Sequence, residues 1–218
     1  MMQPLLYLAS ASPRRHELLN QISVKHKVLQ VPSPPGEDEP RLSDETPLDY
    51  VQRTAFEKAI RAEQWIEKQH QNETLFENQI AILTADTTVA LDNCIFGKPQ
   101  DAEDAAQILK QLSGKTHTVF TALVLSQSEP QQNKDQRGQW YRIKALSVTQ
   151  VSFCTLTEQA IRDYIETGEP FGKAGAYGIQ GYAGKYIQRI DGSYSGVMGL
   201  PLFETNELLK QISASTTG

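Results

Sequence analysis

Four segments of this 218-residue chain concentrate the residue types that phosphate chemistry needs. The first is Ser10-Ala11-Ser12-Pro13-Arg14-Arg15, where an apolar run ends and an amphipathic pattern begins. Free N–H groups at a helix start, two hydroxyls and two guanidiniums there would cradle an anion. The competing reading is a capped helix with two surface arginines. The second is Ala85-Asp86-Thr87-Thr88, after the apolar run Ile-Ala-Ile-Leu. A carboxylate on a buried strand is costly unless it binds a metal, pairs with a cation or performs catalysis; otherwise Asp86 is a turn residue. Gly97-Lys98-Pro99 follows closely and would return an ammonium to the same place, or leave it as a solvated turn lysine. The third is the acidic loop Glu37-Asp38-Glu39 with Lys58 on the next helix. Carboxylates beside a phosphate cradle imply a divalent cation, Mg²⁺ or Mn²⁺, although an isolated acidic run is ordinarily a solvated loop. The fourth runs from Gly172 to Gly181, Gly-Lys-Ala-Gly-Ala-Tyr-Gly-Ile-Gln-Gly. Its glycines let backbone approach a ligand closely, Lys173 adds a cation, and Gln180 offers the donor and acceptor that suit the edge of a base. The alternative there is a linker. Each segment is weak alone, and their co-occurrence is the signal.

The elements that must position these residues can be traced along the chain. Leu5 to Ala9 has the pattern of a buried strand. Ser12-Pro13 starts a helix with Leu18, Leu19 and Ile22 on its inner face. Pro32 to Pro47 is a long polar loop, and Thr46-Pro47 with Asp49 opens a helix carrying Leu48, Val51, Ala55, Ala59 and Ala62 on one face. Ile80–Ala85 and Thr87–Leu91 are two strand segments, with a turn at Asp92-Asn93. A helix runs from Asp101 to Leu112, with Gly114 behind it. Thr116–Leu125 and Trp140–Leu156 form a long hairpin with a polar tip at 127–139. Helices over Thr157–Thr167 and Leu202–Ile212 follow. No repeat or linker interrupts this order, so residues 1–218 are expected to form one α/β domain on a mixed sheet, with two lobes and a cleft.

Composition narrows the function classes. Hydrophobic residues make up 39 % and charged ones 22 %, the profile of a soluble globular chain. A net charge of −5 argues against a general nucleic-acid partner, although it permits a local cationic pocket. Cys94 and Cys154 are too few for a disulfide framework. Neither a signal peptide nor a membrane span is expected, and a cytoplasmic location follows as the default. Gly114-Lys115-Thr116 resembles the end of a P-loop, but Leu109 stands where a glycine belongs and a helix precedes it. Gly192-Ser193-Tyr194-Ser195-Gly196 has no serine at the middle of a nucleophile elbow, and Asp191-Gly192 is expected to be a tight hairpin turn. His16, His26, His70 and His117 stand singly, which disfavours zinc.

The stretches LASASPRRHELL, ADTTVALDNCIFGKPQDAEDA, LSGKTHTVFTALVL, KAGAYGIQG and GSYSGVMGLPLFET, in this order, resemble the Maf family of nucleoside triphosphate pyrophosphatases from about Leu6 to Leu209. That resemblance implies a mixed, elongated α/β sheet with flanking helices, similar to the inosine-triphosphate pyrophosphatases, with a cleft between two lobes and generally a homodimer. It implies cleavage of a nucleoside triphosphate between the α- and β-phosphates with a divalent cation. The AYGIQG form is similar to the branch acting on dTTP and UTP; the 7-methyl-GTP branch differs there. The family's catalytic base falls on Asp86, and its specificity positions on Arg14, Thr87 and Gln180. Phosphate or metal contacts fall on Ser10, Ser12, Arg15, Glu39, Lys58 and Lys98, with Lys173 a further one. Gly172 departs from the acidic residue usual before Lys-Ala-Gly. Set against this enzyme are a different nucleotide preference and a non-catalytic regulator of septum formation. The regulator does not require Arg14, Asp86 and Lys98 together.

Overall fold

The computed structural model describes residues 5–33, 39–69, 79–128 and 139–214. Glu37, Asp38, His70 and most of the expected hairpin tip lie outside the described residues. Strand β1 (Leu5–Leu8) leads into helix α1 (Pro13–Gln21), where Ser12 is the N-cap, Pro13 the first helical residue, and Leu18 and Leu19 turn into the core. A two-residue strand, β2 (Lys27–Val28), had no apolar pattern to announce it. Helix α2 (Pro47–Gln69) starts on the expected capping box: Asp49 N–H donates to Thr46 Oγ1 at 3.1 Å, and that hydroxyl donates to Asp49 Oδ2 at 2.6 Å. Its buried stripe is Val51, Ala55, Ala59, Ala62 and Ile66, and the small side chains allow α2 to lie close over the sheet. Leu48, expected in that stripe, is exposed, because Pro47 takes the inward position one turn before Val51.

Strand β3 (Ile80–Leu91) is one continuous element, where two segments were expected. Asp86 does not break it, because its carboxylate finds a cation (below). Asp92 and Asn93, with φ of 49° and 65°, turn β3 back into β4 (Cys94–Phe96). Helix α3 (Ala102–Leu112) is capped by Asp101, which accepts from Asp104 N–H. The long hairpin is β5 (Thr116–Ser128) with β6 (Trp140–Phe153), in unbroken register from Thr116↔Ser152 to Ser128↔Trp140. β5 runs past its expected end because 126–128 are buried and Ser128 Oγ accepts from Ile80 N–H at 3.0 Å.

Helix α4 (Glu158–Glu166) carries Thr157 as its cap, and β7 (Ile187–Asp191) pairs with β6. The expected hairpin turn at Asp191-Gly192 is instead a strand-to-helix junction. Its next element is the short helix α5 (Tyr194–Met198), capped by Ser193 Oγ on Gly196 N–H at 3.0 Å. Helix α6 (Leu202–Ala214) follows.

The sheet order is β2-β1-β3-β5-β6-β7, with β4 also on β3. β1 runs parallel to β2 and β3, and the remaining pairs are antiparallel. This is the mixed α/β sheet with flanking helices that the sequence led one to expect. One core packs α1 and α6 on a face of the sheet, α2 covers the other face, and a separate core joins α3, α4 and the glycine-rich segment at the far end. The long strands run through both lobes. Opposite β5, the other edge of β3 is split: β1 covers Ile80–Leu83 and β4 covers Val89–Leu91. Asp86, Thr87 and Thr88 fall in the gap between them.

Candidate functional site

Alternation along β3 decides which way the gap residues face. Ile80 and Ile82 pack with α2, and Thr84 Oγ1 donates to Ala55 O at 3.3 Å, so Asp86 faces the same helix. There Lys58 Nζ donates to Asp86 Oδ1 at 2.6 Å and ion-pairs Glu39 as well. Thr88 Oγ1 donates to Asp86 Oδ2 at 3.3 Å. Burial works against the charge of Asp86, but Lys58, then Arg15 and a Thr54 hydrogen bond, outweigh it and hold the carboxyl below its ordinary range. It is therefore ionised at neutral pH.

Thr87 faces the opposite side of the sheet, where the loop after β1 and the end of α5 converge. Arg15 spans that side. Its Nε donates to Gly199 O at 2.7 Å, Nη1 to Ser10 Oγ at 3.3 Å and Nη2 to Thr87 Oγ1 at 3.2 Å. Thr121 Oγ1 donates its proton to Gly196 O at 2.8 Å and lies 3.1 Å from Thr87 Oγ1. Ser10 Oγ also accepts from Ser12 N–H at 3.2 Å. The Ser12 hydroxyl makes no cap bond, and α1 has no acid in its first turn. The positive end of α1 is thus left uncompensated by the helix itself.

Desolvation lowers the Arg15 pKa, Asp86 and Glu39 offset that, and Arg14 lowers it further. Burial and Arg14 likewise lower Lys173, with Glu169 opposing. Arg14, Arg15 and Lys173 therefore share one neighbourhood, a crowding of cations that an anion would relieve. Gly97 O accepts from Gly175 N–H at 3.0 Å, which seats the Lys98 turn against the glycine-rich segment. Gly175 is held at φ +71°, and a Cβ there would stand 2.9 Å from Val89 Cγ1, so glycine alone permits this junction.

Direct contacts thus join Ser10, Arg15 and Thr87 on one face, and Glu39, Lys58 and Asp86 on the other. Arg14 and Lys173 join through their charges, and Ser12 through its backbone. Lys98 and Gln180 stand on flanking segments with exposed side chains; among the described residues, no hydrogen bond ties either to Asp86. Sequence reasoning missed Tyr50, whose hydroxyl donates to Glu39 O at 3.0 Å, and Thr54. Tyr50, Thr54 and Lys58 recur every four residues and so form a polar stripe on α2, a signal that was there to be read. Thr121 and the carbonyls of Gly196 and Gly199 had none.

Among the described residues, no three His, Cys, Asp or Glu side chains gather as a metal cage. Glu39 and Asp86 do bring two hard carboxylate donors to one point, shared now by Lys58. That donor set fits Mg²⁺, which takes one or two carboxylates and fills its shell with phosphate oxygens and water.

An α/β protein whose strand edge is split around a buried, ionised carboxylate, paired with one cation and facing another, is the class this fold and site define. The chain belongs to the family described as Maf-like protein, whose model matches residues 5–212. It is 51 % identical over 208 residues to a dTTP/UTP pyrophosphatase of Bordetella avium, covering 95 % of each chain. A dTTP/UTP pyrophosphatase of Cupriavidus metallidurans is 44 % identical over 214 residues, covering 96 % of this chain and 98 % of its own. A solved nucleoside-triphosphatase (dITP/XTP pyrophosphatase) of Mycobacterium abscessus aligns with 69 % of this chain and 74 % of its own at 14 % identity and a TM-score of 0.32, a likeness that carries no argument.

Proposed function

We propose that the protein hydrolyses nucleoside triphosphates, dTTP and UTP foremost, to the monophosphate and pyrophosphate, and so clears the nucleotide pool. The observation that carries this reading is Asp86: buried, ionised and set in the part of the β3 edge left open by β1 and β4, paired with Lys58 and facing Arg15, which Arg14 crowds in turn. The names of the relatives supply the substrate.

In this reading the triphosphate lies over the start of α1. Ser10, Ser12 and the first N–H groups of the helix receive phosphate oxygens, and Arg14, Lys98 and Lys173 neutralise their charge. Arg15 and Thr87 hold the loop in place from behind. A water attacks the α-phosphorus, its proton passes to Asp86, and the bond from that phosphorus to the α–β bridging oxygen breaks. Pyrophosphate leaves with the bond's electron pair, stabilised by the cations. Glu39 would hold Mg²⁺ or Mn²⁺, with Asp86 in indirect contact because a carboxylate that ligates the metal tightly is not free to serve as the base; when bound, the metal neutralises phosphate charge and polarises the reacting phosphorus. Lys58, shared by both carboxylates, keeps them close until substrate arrives. Gln180 reads the base: its amide donates to a pyrimidine carbonyl and accepts from N3–H, a pattern common to thymine and uracil and absent from cytosine. A homodimer in the cytoplasm belongs to the same reading, supported by the family resemblance; none of the described helices is long and apolar enough to cross a membrane.

The test is pyrophosphate release from a panel of triphosphates with Mg²⁺ or Mn²⁺. dTTP and UTP should exceed CTP, ATP and GTP. Faster turnover of 7-methyl-GTP than of dTTP would overturn the substrate assignment.

A further inference from the structure

One carboxylate outside the charged gap organises the whole glycine-rich segment. Glu169 stands just past α4, where its N–H donates to Thr167 Oγ1 at 3.1 Å. Its Oε1 accepts from Tyr164 Oη at 2.8 Å and from Ala183 N–H at 3.4 Å, and its Oε2 accepts from Tyr182 N–H at 2.8 Å. Its main-chain carbonyl accepts from Lys173 Nζ. Tyr164 Oη in turn accepts from Gly178 N–H at 3.2 Å. The backbone on both sides of Gln180 is therefore fastened to a single residue, directly at 182 and 183 and through Tyr164 at 178.

The glycines support the same view. Gly181 has φ −109° and ψ −150°, a backbone open to ordinary residues, yet a Cβ there would overlap Glu169 Oε2. A Cβ on Gly178 would lie 3.1 Å from Lys173 Cε and 3.5 Å from Glu169 Oε1. These two glycines are needed for the space they leave to Glu169 and Lys173, which lets the chain settle onto the carboxylate.

We propose that Glu169 is a positioning residue of the site: its carboxylate fixes the backbone that carries Gln180 and its carbonyl holds Lys173, so base choice and one phosphate-facing cation are set together. This rests on the reading of Gln180 and Lys173 given above. The charge matters as well as the shape. A glutamine at 169 is isosteric but presents an amide N–H₂ to either the Tyr182 N–H or the Ala183 N–H, neither of which can accept, so one bond is lost in either orientation even if the Tyr164 hydroxyl turns to accept.

The experiment compares Glu169→Gln, Glu169→Ala, Tyr164→Phe, Gln180→Ala, Gly181→Ala and the double variant Glu169→Ala/Gly181→Ala, with kcat and KM for UTP and CTP and a melting curve for each. Glu169→Gln should keep most of its thermal stability, raise KM for UTP about tenfold with a smaller fall in kcat, and reduce the UTP-to-CTP ratio of kcat/KM by about the same factor, as loss of one buried hydrogen bond allows. Tyr164→Phe should move both quantities in the same direction. Gly181→Ala should be damaging alone and add nothing to Glu169→Ala, because the obstacle is then gone. Unchanged KM and ratio in Glu169→Gln, with Gln180→Ala losing selectivity, would overturn the proposal and leave the base reading standing. If Gln180→Ala keeps full selectivity, the base reading fails; Glu169 is then decided by the Gly181 cycle, where additive effects overturn it and non-additive ones support it.

Discussion

Around the gap in β3 the side chains are held by ion pairs, whereas the glycine-rich segment is held by ring packing and by neutral donors gathered on one carboxylate, Glu169. In the first region Lys58 serves both Glu39 and Asp86, and Arg15 spends three N–H groups on Gly199, Ser10 and Thr87. In the second, His117 Nε2 meets Tyr177 Oη at 2.8 Å, and the rings of His117, Phe153 and Tyr177 pack edge-on at centroid distances of 4.9 to 5.4 Å. Tyr164 stacks on Tyr182 at 5.8 Å, and Glu169 supplies the charge. Ion pairs can exchange partners when a phosphate or a cation arrives, because the incoming group replaces the interaction it removes. Interlocked rings cannot exchange, and they hold a shape. The charged region is thus suited to reaction, and the aromatic one to recognition.

The largest expected effect separates the two roles outright. Asp86→Asn should lower turnover about a hundredfold or more, as removal of a general base does, while the melting curve stays close to that of the unmodified protein. Stability survives because Lys58 retains Glu39 and is not left as an unpaired buried cation. Near-normal turnover in a folded Asp86→Asn protein would remove Asp86 from the chemistry.

For the aromatic region the expected effect is on stability and its dependence on pH. His117 is buried on β5, its Nδ1 has no hydrogen-bond partner among the described residues, and desolvation pushes its pKa down to about 4 from 6.5. The unfolded chain therefore binds a proton that the folded one refuses. The stabilisation is complete above pH 6.5 and is lost progressively as the pH falls toward 4. Going from pH 7 to pH 5 should cost about 2 kcal/mol from this group, visible as a lower denaturant midpoint. In His117→Phe that increment should vanish. The same slope in both proteins would assign it elsewhere.

How much of this was legible beforehand follows from the range of the interactions. The capping box at Thr46, the helix starts at Asp101 and Thr157 and the β5–β6 hairpin depend on neighbours a few residues apart or on simple alternation, and they stand as expected. The break anticipated at Asp86 is absent because its remedy, Lys58, comes from another element. Arg15 meets Gly199 across 184 positions, a contact no local pattern contains. α5 and β7 were missed for a related reason: both are five residues long and gain their stability from packing on β5 and β6. Glu169 sits in an ordinary Gly-Glu-Pro turn, and only the donors arranged around it show what it does.

Arg14→Ala gives an effect of comparable size to that of His117, but on binding. Arg14 crowds both Arg15 and Lys173, and its own charge has to be met by substrate. Its loss should raise KM roughly thirtyfold, about 2 kcal/mol for a desolvated guanidinium on phosphate, and leave the order of base preference intact. An unchanged KM would place Arg14 outside the cradle. A changed base preference would move it to the recognition side of the comparison.

The smallest expected effect concerns Thr87, a specificity position by family resemblance that the structure sets on the charged side. Its hydroxyl accepts from Arg15 Nη2 at 3.2 Å, so it acts first on the arginine. Thr87→Val preserves the β-branched shape on the strand and removes only that acceptor. Arg15 keeps Gly199 O and Ser10 Oγ, so the cost should be about 1 kcal/mol, the usual size of one hydrogen bond. That corresponds to a several-fold rise in KM, equal for dTTP, UTP and CTP, because a loosened Arg15 weakens phosphate binding whatever the base. Steady-state kinetics on the three substrates decides the matter. A uniform shift keeps Thr87 with the charged region as a support for Arg15. A selective loss for dTTP and UTP would show that the base reaches the strand itself, and recognition would then span both regions.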